Sequence, residues 1–330
     1  MAMSDNAETG ETGETAGRLI AQVGADQAGK RLDQVVASLF SDYSRSRLQR
    51  WIKDGRVLLD GKPCRSKDKV WGGEQVSLEP VLETEVVSRP QAIPLEIIFE
   101  DESLLVINKP VGMVVHPAAG NPDGTLLNAL LYHHPDLNQI PRAGIVHRLD
   151  KATSGLLAVA KTLQAQTSLV GQLQERSVKR EYVAIVQGVM AAGGKVDAPI
   201  GRHPVQRTRM AVHPLGKTAV THYRVEAHYR AHTLLRINLE TGRTHQIRVH
   251  MAHIHHPLLG DPDYGGRLRL PAGASPELVA VLQSFRHQAL HARRLGLIHP
   301  VSGEEMAWEA TLPEDMRQLL DELERDSAAL

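Results

Sequence analysis

Cysteine is almost absent from this sequence, because Cys64 is the only one in 330 residues. A single thiol can form neither an internal disulfide nor a cysteine zinc cluster, so we expect a reducing, cytoplasmic location. Long apolar runs are absent too, and none approaches the roughly 18 residues of a transmembrane helix. The acidic N-terminal residues lack the apolar core of a signal peptide. We therefore expect no contact with a membrane.

The sequence has no net charge, with 38 basic and 38 acidic residues, but the charges are unevenly distributed. Residues 30–69 contain eleven Lys or Arg against five Asp. A local basic block of this kind is typical of proteins that bind polyanions such as nucleic acid. A solvated charged face would have the same composition, so the block alone does not decide between the two interpretations.

Composition divides the chain into four segments. Residues 1–17 repeat Gly, Glu and Thr with almost nothing apolar, which predicts a disordered acidic tail. Residues 18–85 form a predicted small domain, and residues 86–94, with two prolines, form a predicted linker. In residues 95–330 apolar strands alternate with a few helices, which predicts an α+β domain with a mainly antiparallel central sheet.

The basic block contains a helix predicted over residues 45–53, capped by Ser44 and ended at Gly55. Three apolar side chains fall on one arc of this helix and would pack: Leu48, Trp51 and Ile52. Four cations cover the remaining arc and are the candidate RNA-binding residues: Arg45, Arg47, Arg50 and Lys53. Like charges at this spacing repel one another unless an anion lies opposite. Together with residues 31–33 and 55–62, the helix resembles the alpha-L RNA-binding motif, first described in a small-subunit ribosomal protein.

Patterns of apolar residues predict most elements of the large domain: two apolar runs around an acidic turn predict a hairpin, and alternation predicts several strands. The predicted elements are a β-hairpin over 96–107, a helix over 162–175, and strands over 155–160, 181–187, 220–226 and 233–240.

Two polar segments next to these elements are candidate sites of chemistry. The first places Asp150 just before a buried strand, and loops on a rigid sheet are where catalytic groups concentrate. The second places Arg248 in the first turn of a helix that Thr244 can cap. A cation there is disfavoured by the helix dipole, so we expect a carboxylate partner and choose Asp150. Taken alone, the first segment could equally be a turn with an ordinary salt bridge.

A third polar segment begins a strand with Tyr182, a position where a tyrosine more often packs than acts as a base. The histidines of residues 245–256 lack H-E-x-x-H spacing and a cysteine partner, so no metal site is expected. We interpret them as polar, RNA-facing or structural. No Walker A loop, Rossmann fingerprint or Gly-x-Ser-x-Gly is present, so we expect an enzyme without a cofactor.

Five motifs, in this order, resemble the large-subunit ribosomal RNA pseudouridine synthase family over about residues 20–315. They are Ile107–Pro117, His147–Gly155, Arg243–His250, His256–Gly265 and Gln288–Ala292. The resemblance implies an isomerase that acts on large-subunit (23S) ribosomal RNA or on a precursor of that subunit. It also implies four site residues: Asp150 as the essential aspartate, Arg148 as a residue that displaces the target base, Tyr182 as the active-site tyrosine, and Arg248 as the basic partner of the aspartate.

The resemblance further implies a target stem-loop at the subunit interface, helix 69, modified during ribosome assembly. We also expect a monomer. Which uridines are modified is not determined by the sequence.

Pseudouridine formation breaks the bond between uracil N1 and the ribose anomeric carbon and rejoins the base through C5. A glycosidase would use two carboxylates and admit water, whereas only Asp150 stands here among cations and apolar strands. Asp150 could attack the anomeric carbon or remove a neighbouring sugar proton, and Arg248 would keep it ionised. Tyr182 could relay the C5 proton or stack on the base. Two alternatives remain open: a non-enzymatic RNA-binding or assembly protein, and a nucleoside or glycoside hydrolase.

Overall fold

The computed structural model describes residues 18–40, 43, 45–80, 89–118, 120–206 and 208–329. Several predictions fall outside the described residues: the tail over 1–17, the cap Ser44, residues 86–88 of the linker, and the side chains of Arg45 and Arg47. The chain divides into two compact units, Met1–Val87 and Ser88–Leu330. None of the helices within the described ranges has both the length and the apolar composition needed to cross a membrane.

The first unit packs two helices against a small antiparallel sheet. Its elements are β1 (Leu19–Gln22), α1 (Leu32–Leu39), α2 (Arg45–Lys53), β2 (Val57–Leu59), β3 (Lys62–Pro63) and β4 (Gln75–Leu78), and the strands are ordered β1-β4-β2-β3. The helix predicted over residues 45–53 is therefore confirmed. Its predicted apolar arc is confirmed as well, because Leu48, Trp51 and Ile52 are at most 2% exposed. The described cations of α2, Arg50 and Lys53, are exposed on the other side of the helix.

The second unit contains strands that pair into one large sheet and a small separate hairpin. Its strands are β5 (Glu96–Glu100), β6 (Leu104–Lys109), β7 (Ser154–Ala160), β8 (Lys179–Gln187), β9 (Gly194–Asp197), β10 (Ile200–Arg202), β11 (Met210–Val212), β12 (Val220–His228), β13 (His232–Leu239), β14 (Leu290–Ile298) and β15 (Glu305–Glu309). Its helices are α3 (Leu126–His133), α4 (Leu163–Glu175), α5 (Gln246–His253), α6 (Pro276–Ser284) and α7 (Glu314–Ala328). The predicted hairpin, strands and helix all lie within these elements, with ends that differ by a few residues.

The large sheet has nine strands in the order β5-β6-β7-β14-β8-β13-β12-β9, and β15 pairs with β14 beside this path. Within the described part of the chain, only β7 and β14 pair in parallel. The predicted α+β class with a mainly antiparallel central sheet is thus confirmed. β7 and β14 approach closely at Gly155, where a Cβ would lie 2.3 Å from the carbonyl oxygen of Ala292. Only glycine fits there, and it fixes the start of β7 against β14.

Both faces of the central strands are buried. Leu105, Ile107 and Leu157 belong to the larger apolar cluster, which also contains residues of α3 and α5. Leu104 and Leu156 alternate with them and face a second cluster that contains α4. Every residue of β7 is accordingly buried, as expected for a central strand that is covered on both sides. The loop in front of β7 therefore rests on a rigid, fully packed element.

Candidate active site

A cleft of about 830 Å³ opens where β7 begins. The loop before β7, the start of β8 and the first turn of α5 all line this cleft. They bring together three residues that are far apart in the sequence, Asp150, Tyr182 and Arg248. The exposed side chain of Arg148 also lines the cleft.

The loop that carries Asp150 is fixed by hydrogen bonds to the strand beneath it. The carbonyl oxygen of Asp150 accepts from the backbone N–H of Thr153 at 3.0 Å, which closes a tight turn. Thr153 Oγ1 accepts from Gln288 Nε2 at 3.0 Å, and Ser154 Oγ is bonded to His291 Nδ1 at 2.9 Å. These partners are buried, so the Asp150 turn cannot shift without breaking bonds that water does not replace.

Arg248 pairs with Asp150, as predicted. Its Nη1 lies 3.2 Å from Asp150 Oδ2. Two further carboxylates also bind the guanidinium: Asp261 accepts from Nε and Nη2 at 2.7 and 2.9 Å, and Asp263 accepts from Nη2 at 2.7 Å. Burial opposes the charged form of Arg248, but these carboxylates outweigh burial and raise its pKa above the ordinary value. The arginine is therefore a permanent cation.

The predicted cap of α5 is wrong. His245 occupies the cap position in a left-handed conformation with φ of 55°, and Thr244 lies one residue further out. The side chain of Gln246 fixes the segment before the helix, because its Oε1 accepts from the Arg243 N–H at 3.0 Å and from the Thr241 hydroxyl at 2.8 Å. The left-handed residue turns the chain sharply before the helix and aims the His245 ring into the cleft.

The His245 ring lies beside Asp150 and is held by Tyr264. Its Nε2 is 3.9 Å from Asp150 Oδ1, and its Nδ1 is 2.8 Å from the Tyr264 hydroxyl. The same hydroxyl accepts from the backbone N–H of Met210 at 2.9 Å. Burial lowers the pKa of His245, and the charge of Asp150 only partly opposes this effect. The ring is therefore neutral at neutral pH and can donate or accept a proton.

Tyr182 is a buried phenol, with 6% of its surface exposed. It packs in the larger apolar cluster, so the packing role that a lone tyrosine usually has is present here. Burial raises the pKa of Tyr182; the charge of Arg180 opposes this effect and that of Asp150 adds to it. The phenol consequently keeps its proton at neutral pH and needs a partner to pass one on.

A buried lysine lies under the Asp150 loop. Lys109 is fully buried, and its Nζ donates to the carbonyl oxygens of Pro110, Met113 and Lys151 at 2.8, 3.0 and 3.3 Å. Burial lowers the pKa of Lys109 to about 7, although the charge of Asp150 favours its charged form. Lys109 thus ties residues 109–113 to the loop that carries Asp150.

In the first unit, two of the predicted RNA-binding cations, Arg50 and Lys53, have exposed side chains. Lys53 is exposed, and Arg50 is exposed with its Nε 3.9 Å from Asp54 Oδ2. An exposed pair of this length contributes little to stability. The backbone of Arg45 and Arg47 belongs to α2, while their side chains lie outside the described part.

Four residues that hold the cleft residues or their loops in place were not identified as site residues from the sequence: Asp261, Asp263, Tyr264 and Lys109. Asp261, Asp263 and Tyr264 belong to the motif His256–Gly265, and Lys109 belongs to Ile107–Pro117. For Asp261 and Asp263, the signal that could have identified them is the need of a buried arginine for more than one carboxylate. Among the described residues, no group of three or more His, Cys, Asp or Glu is arranged to hold a metal ion.

The chain matches two family models. Residues 103–253 match the model described as RNA pseudouridylate synthase, and residues 30–76 match the S4 domain. The first match contains α5 and the cleft residues before it, and the second contains α1, α2, β2, β3 and the first half of β4.

Similar proteins span nearly the whole chain. The Ribosomal large subunit pseudouridine synthase D of Escherichia coli (strain K12) is 59% identical over 310 residues, which cover 94% of this chain and 95% of the relative. The protein of the same name from Vibrio vulnificus (strain CMCP6) is 58% identical over 302 residues, 91% and 93% of the two chains. Among solved structures, Human RNA Pseudouridylate Synthase Domain Containing 4 is similar with a TM-score of 0.54 and 27% identity, covering 69% of this chain and 93% of that one.

Proposed function

Because the chain belongs to the RNA pseudouridylate synthase family, we propose that it isomerises uridine to pseudouridine in large-subunit ribosomal RNA with Asp150 as the essential residue. The chain is an RNA-modifying isomerase with an S4 RNA-binding domain. The observation that carries the role of Asp150 is its position in the cleft, paired with a permanently charged Arg248 at 3.2 Å.

The pair with Arg248 suits a carboxylate that must act in its ionised form. Arg248 places its charge 3.2 Å from Asp150, and the buried bonds of Arg248 to Asp261 hold the arginine in place. Asp150 can then attack the anomeric carbon or remove a neighbouring sugar proton, as the N1 bond of the uridine breaks. Both steps leave the freed uracil in the cleft to rejoin through C5.

Two roles remain: Tyr182 relays the proton from C5, and Arg148 fills the gap left by the flipped uridine. The last step removes the proton from C5. The phenol of Tyr182 still carries its own proton, so it can take up the C5 proton only while it passes its own to an ionised group such as Asp150. Arg148 is exposed beside Asp150 and is placed to fill the gap left when the uridine leaves its stack, which costs a few kcal/mol. The cations of α2 supply phosphate contacts: Arg45, Arg47, Arg50 and Lys53.

We further propose a target stem-loop at the subunit interface, helix 69, modified during ribosome assembly. A monomer suffices, because Asp150, Tyr182 and Arg248 come from one unit of one chain. Since the substrate is ribosomal RNA, the enzyme would work in the cytoplasm. Comparing free ribosomal RNA with precursor particles as substrates tests the assembly role, and light scattering tests the monomer.

Tritium release from RNA that is labelled at C5 of uridine tests the proposed reaction. An isomerase releases the label as the base rejoins through C5, whereas a protein that only binds RNA, or a hydrolase, does not. Mapping pseudouridines in ribosomal RNA with and without the protein then identifies the target. An enzyme preparation that binds RNA but releases no tritium would contradict the proposal.

A further inference from the structure

Arg180 is a nearly buried cation that lines the same cleft. It lies two residues before Tyr182 on β8, and only 8% of its surface is exposed. Among the described residues no hydrogen bond or ion pair to its guanidinium is formed, and its Nε is buried without a partner. An unpaired buried charge costs the folded state free energy, so a ligand is the natural partner.

The nearby carboxylates are all engaged elsewhere. Glu181, the next residue along β8, faces Arg293 at 3.8 Å. Glu240, which lines the same cleft, binds Arg176 at 3.3 Å and His222 at 2.6 Å. Asp150 is paired with Arg248, as described above. None of these groups therefore neutralises Arg180.

His147 does not supply the missing charge either. Burial and the charge of Arg180 together lower the pKa of His147 to about 3, so its ring is neutral. Its Nε2 accepts from the backbone N–H of Ala158 at 3.0 Å, which leaves no lone pair for the guanidinium on that nitrogen.

Gly242 provides the space that the guanidinium occupies. A Cβ at Gly242 would lie 2.7 Å from Arg180 Nη1, closer than any real contact of this type. Gly242 lines the cleft as well. The absence of a side chain there lets the arginine extend across the backbone between β13 and α5.

We propose that Arg180, seated over Gly242, binds a phosphodiester of the RNA at or next to the target uridine. The planar guanidinium matches two oxygens of a phosphate. The nucleotide that is flipped toward Asp150 brings such a group into the cleft, and the exposed Arg142 and Arg148 continue the cationic lining outward. This inference rests on the proposed function, and it adds a substrate contact that the reaction itself does not require.

The first test compares wild type with R180M in filter binding to a transcript of large-subunit ribosomal RNA across a salt series. R180M should bind about tenfold more weakly, since it lacks one charge-assisted contact. Its log–log salt slope should fall by roughly 0.7–0.9, the value for one phosphate. R180K keeps a point charge and should retain most of the slope. R317M removes an exposed arginine that is paired with Glu314 on α7, and it should leave the slope unchanged.

A second variant acts on the subsite without removing the charge. G242A has no conflict with its backbone conformation, and its Cβ displaces only the far end of Arg180. Like R180M, it should weaken RNA binding. The two substitutions combined should be no worse than R180M alone, because both act on one contact.

Thermal unfolding separates a ligand site from a structural arginine. Removing an unpaired buried charge should leave the melting temperature of R180M equal to or above that of wild type. An unchanged salt slope, or a lowered melting temperature with unchanged RNA binding, would overturn the subsite. Tritium release by wild type on the same transcript is measured in parallel. A wild type that releases no tritium contradicts the proposed function whatever R180M does, whereas an active wild type with an unchanged R180M slope contradicts the subsite alone.

Discussion

Arg248 binds Asp261 more closely than it binds Asp150. Two nitrogens of the guanidinium donate to Asp261 at 2.7 and 2.9 Å, whereas Nη1 alone reaches Asp150, at 3.2 Å. The side chain of Asp261 is fully buried and also accepts from the N–H groups of Asp263 and Tyr264. Asp261 therefore fixes the arginine, and the arginine holds Asp150.

Arg248→Met should both destabilise the fold and abolish activity. The substitution leaves Asp261 as a buried carboxylate without its cation, which costs about 3–5 kcal/mol of unfolding free energy. It also removes the group that pairs with Asp150 and orients its carboxyl group. Urea unfolding measures the first effect, and tritium release from RNA labelled at C5 of uridine measures the second.

Arg230→Met is the matched control for Arg248→Met. Arg230 binds the buried Asp326 at 2.9 Å, far from the cleft lining. Its loss should destabilise the fold in the same way while the specific activity of the folded protein is retained. Equal activity in both variants would show that the pair of Arg248 with Asp150 does not matter for the reaction.

Asp150→Asn should abolish product formation and leave RNA binding nearly intact. The amide keeps the shape of the side chain but can be neither a nucleophile nor a base, so turnover should fall by roughly 10²- to 10⁴-fold or more. Asp263→Asn is the control, because Asp263 also binds Arg248 but is 43% exposed. It should lower turnover far less. Turnover of Asp150→Asn within tenfold of wild type would remove Asp150 from its role.

Local patterns were sufficient to predict much of the fold. Helix α2 followed from three apolar residues on one arc, and the hairpin β5–β6 followed from two apolar runs around an acidic turn. The pair of Arg248 with Asp150 was also predictable, because a cation in the first turn of a helix needs a nearby anion.

Contacts between distant segments could not be predicted in this way. Asp261 and Asp263 reach Arg248 only because the chain after α5 turns back over the helix. The pattern of apolar residues does not predict this turn of the chain. Thr244 misled the prediction because a capping residue type does not reveal that His245 adopts a left-handed conformation. Arg180 was not identified because its burial without a partner depends on segments that are distant in the sequence.

Tyr182→Phe should reduce turnover more than it weakens RNA binding. The ring still fills its place in the apolar cluster, so stability should change little, but the hydroxyl that relays the C5 proton is lost. The reduction should be about 10²-fold, the lower end of the range for proton-transfer groups. Single-turnover rates and binding constants measured on the same RNA separate the two effects. A silent substitution would mean that the tyrosine only packs.

Lys109 should make the stability depend on pH. In the unfolded chain Lys109 takes up a proton below about pH 10.5, whereas in the folded protein it does so only below about pH 7. Between these values the unfolded state holds more protons, so the free energy of unfolding rises with pH, by at most about 1.4 kcal/mol per pH unit. Below pH 7 the cost of burying the charge is fully present.

Lys109→Met tests this pH dependence. The variant loses three hydrogen bonds to carbonyl oxygens and should be less stable at every pH, but it lacks the buried titrating group. The difference in unfolding free energy between wild type and variant should therefore grow from pH 7 to pH 10. Urea unfolding at several pH values measures it, and a constant difference would show that Lys109 does not titrate in this window.

Removing residues 1–85 should separate RNA recognition from chemistry. The second unit has its own apolar clusters, and Asp150, Tyr182 and Arg248 all lie within it, so the truncated protein should fold and still isomerise some uridine. Its affinity for ribosomal RNA should fall, because the cations of α2 no longer displace counterions from phosphates. Each lost phosphate contact should reduce the log–log salt slope by roughly 0.7–0.9.

Site choice should also become less strict in the truncated protein, because the tethered first unit raises the local concentration of the active site near its own RNA target. Filter binding across a salt series measures the slope for both proteins, and pseudouridine mapping compares their products. A full-length protein with the four α2 cations replaced by glutamine is the control: Arg45, Arg47, Arg50 and Lys53. It should reproduce the flattened slope if these cations make the contacts. Equal slopes and identical sites for full-length and truncated protein would instead mean that the second unit alone recognises RNA.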